Sequence, residues 1–155
     1  MRLVTSTLTL FFLLFSSCEK KSEPWNTGDL GLVERLFLEN EKVHELLLKD
    51  PTKAHLTTIK QILNEASKSE NSNFKIWAEQ SSQFFLENPK GEDDLYQKLS
   101  DFSLKLLELK KISQYQGKYN KFYCPMVDKY WVSQDTVVRN PYAEDMRDCG
   151  ELLTE

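Results

Sequence analysis

The chain has 155 residues, with 20 Lys+Arg against 24 Asp+Glu, a formal net charge of −4, and a composition 40% hydrophobic and 12% aromatic with five Gly and five Pro. That apolar content suits one domain around one core, while the low Gly and Pro content argues against a disordered or turn-repeat chain. The acidic balance argues against nucleic acid as a partner, because no basic run answers a phosphate backbone. The sequence has no phosphate-cradling glycine loop, no His-Glu-x-x-His and no Gly-x-Ser-x-Gly. Two His in total leave little for a His-based triad or a His-rich metal centre.

The first residues read as an address. Arg2 is followed by a mostly apolar stretch that includes Phe11, Phe12, Leu13 and Leu14, and then by Phe15-Ser16-Ser17-Cys18. A basic start, an apolar run and small residues before a cut are the layout of a secretory signal. The run is shorter than the about 20 residues a spanning helix needs. Cys18 behind small residues resembles the lipobox of bacterial lipoproteins, in which the Cys thiol receives a diacylglyceryl group and becomes the first residue. This predicts a signal peptide over 1–17, a lipidated tether over 18–28 and a single domain over 29–155, held in the bacterial cell envelope at the outer-membrane or periplasmic face. The membrane would be a partner through the lipid on Cys18.

From Asp29 to about Gln116 apolar residues recur at three and four, the period of amphipathic helices. Leu32, Val33, Leu36, Val43, Leu46 and Leu47 mark a first helix. Asp50-Pro51-Thr52 interrupts it, and Thr52 is the predicted cap of a second helix carrying Ala54, Ile59, Ile62, Leu63 and Ala66. A third helix follows with Phe74, Trp77, Ser81 and Phe84 or Phe85, stopped near Asn88-Pro89-Lys90-Gly91. Glu92-Asp93-Asp94 places acids at the positive end of a fourth, whose stripe is Leu95, Leu99, Phe102, Leu106 and Leu109. Four such stripes predict a mainly α fold, an antiparallel four-helix bundle. His44 and His55 read as surface or half-buried side chains rather than ligands.

After Gln116 the texture changes. Gly117 is the expected end of the fourth helix. Phe122-Tyr123 and Tyr130-Trp131-Val132 are short β-prone pieces of a hairpin or loop segment, and Val137-Val138 is another. Asn140 as N-cap, Pro141 at the first position and Gly150 behind predict a small C-terminal helix over 141–149. On it Tyr142, Met146 and Cys149 would share one face. Cys124 and Met126, on a loop stiffened by Pro125, would then fold back towards Met146 and Cys149.

Two readings of these sulfurs stand side by side. Two thiolates and two thioethers in one volume would select Cu(I) or Ag(I) over hard cations, with Trp131, Tyr142, Tyr123 and Tyr130 shielding the site. Two Cys in an exported domain are equally expected to pair, as a Cys124–Cys149 disulfide, leaving Met126 and Met146 as soft packing against aromatics.

The pattern Cys124-Pro125-Met126, Trp131, Asn140-Pro141-Tyr142, Met146 and Cys149-Gly150 resembles the bacterial "domain of unknown function 3347". The resemblance spans about 32–153 and is carried by the C-terminal third. Members occur as short exported proteins and appended to membrane-fusion subunits of copper/silver efflux systems. The resemblance therefore implies soft-metal handling in the periplasm, with Cys124, Met126, Met146 and Cys149 as ligands, Trp131 and Tyr142 around them, and a metal-efflux or other envelope protein as partner. The chain departs from the pattern where Leu95-Tyr96-Gln97-Lys98 lacks the His that members carry, and where Ala143-Glu144 follows Tyr142.

The expectation is thus a lipid-anchored binding module holding monovalent copper. The alternative is a structural or interaction lipoprotein whose Cys124–Cys149 pair is a disulfide with no metal role. Enzyme activity is not expected, since the adjacent acids Asp93-Asp94 and Glu144-Asp145 point in different directions on a helix and nothing gathers an acid, a base and an oxyanion donor.

Overall fold

The computed structural model describes residues 24–154. The predicted signal peptide and the lipidation site Cys18 lie outside the described residues. The fold is mainly helical, with four α-helices and a small three-stranded antiparallel sheet.

The first helix, α1, spans Thr27–Lys49. The Asn26 side chain accepts from the Asp29 backbone N–H at 2.8 Å and donates to the Asp29 carboxylate at 2.9 Å, a reciprocal cap. Helix α1 therefore begins two residues before the predicted domain boundary, and Trp25 packs on Phe74 at 5.1 Å. Pro51 cannot continue the helix and forces Asp50 into an extended conformation. Asp50, not Thr52, then acts as a cap, accepting from the Thr52 N–H of a 3₁₀ turn over Pro51–Lys53. The second helix, α2, starts only at Thr57 and runs Thr57–Ala66, which leaves Ala54 outside it.

Helix α3 spans Ser72–Ser82, capped by Asn71, and tightens into a 3₁₀ turn over Gln83–Phe85. Helix α4 spans Glu92–Ser113 and ends on Gln114, a non-glycine residue in the left-handed region at φ 54°, three residues ahead of Gly117. Helix α1 packs on α2 and α4, and α3 packs on α2 and α4. Leu36, Phe37, Leu47, Ile62, Phe74, Leu99, Phe102 and Leu106 are fully buried between them.

Strands β1 (Asn120–Cys124) and β2 (Lys129–Ser133) form a hairpin, and β3 (Glu151–Leu153) joins the free edge of β1, giving the order β2-β1-β3. The register pairs Phe122 with Trp131 and Tyr123 with Tyr130. Period-two alternation then stacks Phe122 on Trp131 on one face, at 5.3 Å, and Tyr123 on Tyr130 on the other, at 4.5 Å. Strand β2 packs on α4, where the Tyr130 N–H donates to Ser100 Oγ at 2.8 Å. A helix side chain thus satisfies an outward-facing donor of an edge strand.

Two expectations for this region are corrected. Val137-Val138 is not a strand, and the third strand is Glu151–Leu153. The small C-terminal helix does not form either: 141–149 holds only a single 3₁₀ turn, Glu144–Met146. Asn140 explains the difference. Its side chain accepts from the Tyr142 N–H at 2.8 Å and donates to the Cys149 carbonyl at 3.1 Å, while its own N–H donates to the Arg147 carbonyl at 2.7 Å. These bonds close the segment into a loop and use backbone groups that a helix would need.

Candidate functional site

The residues singled out in the sequence meet where the C-terminal loop covers α1 and the hairpin. Cys124 ends β1 and is fully buried, and Cys149 lies at the end of the Asn140-closed loop, partly exposed. Their Cα atoms are 5.8 Å apart and their sulfurs form a disulfide. Trp131 and Tyr142, both buried, meet edge-on at 6.3 Å. Gly150 follows at φ +142°, where a Cβ would stand 2.7 Å from Trp131 Cη2 and 3.1 Å from the Tyr123 carbonyl oxygen. Only glycine fits between the disulfide and the indole.

The methionines are not drawn in equally. Met126, in the hairpin turn, is 69% exposed. Met146 is half-buried in the 3₁₀ turn, and its carbonyl accepts from the Cys149 N–H at 3.0 Å. In this disulfide form Cys124 and Cys149 offer no thiolate, so the four sulfurs do not fit a Cu(I) centre without prior reduction. Among the described residues no group of three His, Cys, Asp or Glu side chains is arranged to hold a metal ion.

The structure corrects the reading of His44. It is 4% exposed, with Nε2 2.8 Å from the Tyr142 hydroxyl and Nδ1 3.4 Å from Asn40 Nδ2. Burial pushes its pKa down to about 4, against a weaker opposing hydrogen bond with the Val132 backbone. Burial also drives the Tyr142 hydroxyl well above its ordinary value. At neutral pH the pair is an uncharged imidazole and an intact phenol. Asn40, Ser100 and Ser103 are likewise buried polar residues, and these the sequence reading passed over. Only their spacing was legible, since they interrupt the apolar stripes of α1 and α4 at core positions.

No family model, curated protein or solved structure matches this chain. The likeness to the unknown-function family therefore rests on the quoted residues alone. Beside a surface cleft of about 450 Å³ that Glu41, Glu45 and Gln134 help to line, the void at His44, ringed by Glu41, Glu45, Asp135 and Arg139, holds about 10 Å³. That is room for one water-sized sphere, not for a substrate. A larger cleft of about 460 Å³ lies elsewhere, between Pro51–Lys53 and the start of α4, with His55 and Lys60 on its wall. It is remote from the residues that carry the sequence signal.

Asn140 is the keystone of the loop, fully buried and bonded on three sides. Asn140→Ala is expected to leave the Tyr142 N–H and the Cys149 carbonyl without partners, costing about 2–4 kcal/mol. Urea unfolding of the two proteins measures it, and a loss under about 1 kcal/mol would show that the loop is held without these bonds.

Proposed function

We propose that this chain is an exported, lipid-anchored binding and interaction module, not a catalyst, whose C-terminal loop is stapled by the Cys124–Cys149 disulfide. One observation carries the reading: the bridge joins the last residue of β1 to the end of the loop, next to Gly150, which lies against the Trp131 ring. A disulfide suits an oxidising compartment, in agreement with the secretory signal read over 1–17 and the lipid acceptor Cys18. Among the described residues no helix is long and apolar enough to cross a membrane, so the anchor in this reading is the lipid. Its scaffold is an antiparallel four-helix bundle, supported by the pairing of α1 with α2 and α4, and of α3 with α2 and α4. Intact-mass measurement of the secreted chain, before and after reductant, tests the staple. A gain of two hydrogens on reduction is expected, and two free thiols in protein isolated without reductant would overturn it.

A second reading keeps the metal. Each cysteine has a methionine close by in sequence, Met126 beside Cys124 and Met146 beside Cys149, and the Met146–Cys149 turn is hydrogen-bonded. Reduction would then release two thiolates next to two thioethers, a set that prefers Cu(I) or Ag(I). The resemblance to domains appended to copper/silver efflux subunits supports this reading and suggests a partner of that kind. Titration of the reduced domain with Cu(I) against a competing chelator tests it. Replacing both cysteines by Ser is expected to abolish binding, and unchanged affinity would remove the metal role.

A further inference from the structure

Residues 134–149 contain no strand and a single 3₁₀ turn, yet they seal the face of Trp131. Of these, Tyr142 and Ala143 are buried, and a series of polar ties runs along α1. At the near end the Glu41 carboxylate accepts from the Ser133 hydroxyl at 2.7 Å and from the Gln134 N–H at 3.1 Å. Arg139 then bridges Asp135 of the loop and Glu45 of α1. In the middle Tyr142 meets His44, and beyond it Arg147 Nη2 donates to the Leu47 carbonyl at 3.2 Å. At the far end Cys149 is covalently bound to Cys124. Apart from the Arg147 contact, each non-covalent tie in this series depends on a carboxylate or on a neutral imidazole.

We propose that residues 134–147 are an acid-released cover, which lifts from α1 when His44 and Glu45 take up protons while the disulfide keeps its far end attached. The groups that face His44 define the response. From α1 come Asn40, Glu41 and Glu45. From β2 come the Val132 backbone and Ser133, and from the cover Asp135, Arg139 and Tyr142. From α4, Ser103 and the more distant Asp101 act on Tyr142, and Tyr96 packs on its ring at 5.5 Å. Glu45 gains from burial a tendency to protonate, which its bonds to Lys49 and Arg139 outweigh, so its carboxyl sits below the usual range.

Protonating Glu45 takes from Arg139 its partner on α1 and leaves a guanidinium beside the void that His44 lines. A buried imidazole resists a proton and an exposed one accepts it, so acid favours the state in which His44 meets water. The sign is definite: the closed state is fully favoured above the ordinary His value of 6.5 and loses ground as pH falls from there towards about 4.

Hydrogen exchange of the oxidised chain, corrected for intrinsic rates, tests the proposal at pH 7 and about pH 4.5. Protection across 137–147 is expected to fall about 100-fold at the lower pH, with α2 and α3 unchanged. His44→Gln keeps an amide for hydrogen bonding but cannot charge, and is expected to cut that change to under about tenfold. Should this variant not fold, Glu45→Gln serves, because it removes the charge that pairs with Arg139 from a partly exposed position. It is expected to raise exchange across 137–147 at pH 7. Unchanged protection of the loop in acid would overturn the proposal. So would loss in step with the helical core, a full pH response in His44→Gln, or no effect of Glu45→Gln.

Discussion

Removing the Cys124–Cys149 bridge, by reduction or by Cys149→Ser with Cys124→Ser, is expected to lower stability by about 3–4 kcal/mol. The bridge closes a loop of 25 residues, and the chain-entropy account assigns about that much to a loop of this length. The reduced state also leaves Cys124 as a fully buried thiol under an untethered loop, and the β3 strand, which starts two residues beyond Cys149, loses its anchor. Among the bonds that remain without the bridge are Asn140 to the Cys149 carbonyl and the Arg147 N–H groups to the Asn140 and Leu47 carbonyls. The loss is therefore expected to act first on β3 and 134–149, and only then on the helices. Guanidinium unfolding with and without reductant measures the total. A difference below about 1 kcal/mol would mean that the reduced chain keeps the same constraints by packing alone.

Trp131→Ala is expected to cost about 3–5 kcal/mol, the range for emptying a large buried aromatic site. Trp131 is 2% exposed, stacked at 10° on Phe122 and edge-on to Tyr142, with Gly150 pressed against its ring. It is the one side chain shared by the hairpin, the loop and the disulfide corner, so its removal uncouples all three. The walls cannot collapse inward, because Gly150 and Cys149 are pinned by the bridge and by the β1–β3 pairing. Trp131→Phe, which keeps a ring, is expected to cost less than half as much. Thermal unfolding of both variants decides it, and equal losses would show that the site needs the full indole shape rather than an apolar filling.

The helices were legible because burial of one stripe imposes a period. Leu36, Leu47, Ile59, Ile62, Leu99, Phe102 and Leu106 all lie in the core where the spacing puts them. The hairpin was legible from its aromatic pieces, though not the addition of β3. Three residues, Glu151, Leu152 and Leu153, carry too little pattern to announce a strand, and their pairing with Lys121–Tyr123 depends on a partner about 30 positions away. Thr52 and Asn140 show the limit of local cap signals. Each has the right residue type for a cap, but Asp50 outcompetes the first and the buried carbonyl of Cys149 recruits the second.

The cysteine alternatives divide the same way. Composition and the secretory signal read in the sequence predict that the two thiols either pair or bind metal, and both choices need them close. Proximity itself is set by β1, by Asn140 and by Gly150, none of which specifies it alone. His44 is the clearest case of context. Nothing near it in sequence distinguishes it from His55, yet Tyr142, 98 positions on, makes it a buried neutral imidazole.

The sequence by itself determined the helical scaffold, the short aromatic hairpin and the acidic charge balance, because these depend on periodicity and composition that every local window carries. Only the tertiary structure decided that Cys124 and Cys149 are bonded, that Met126 is left outside, and that His44 and Tyr142 close the core beneath the loop. Those outcomes rest on contacts between distant segments, where burial and hydrogen-bond partners, not local propensity, set the state of each side chain.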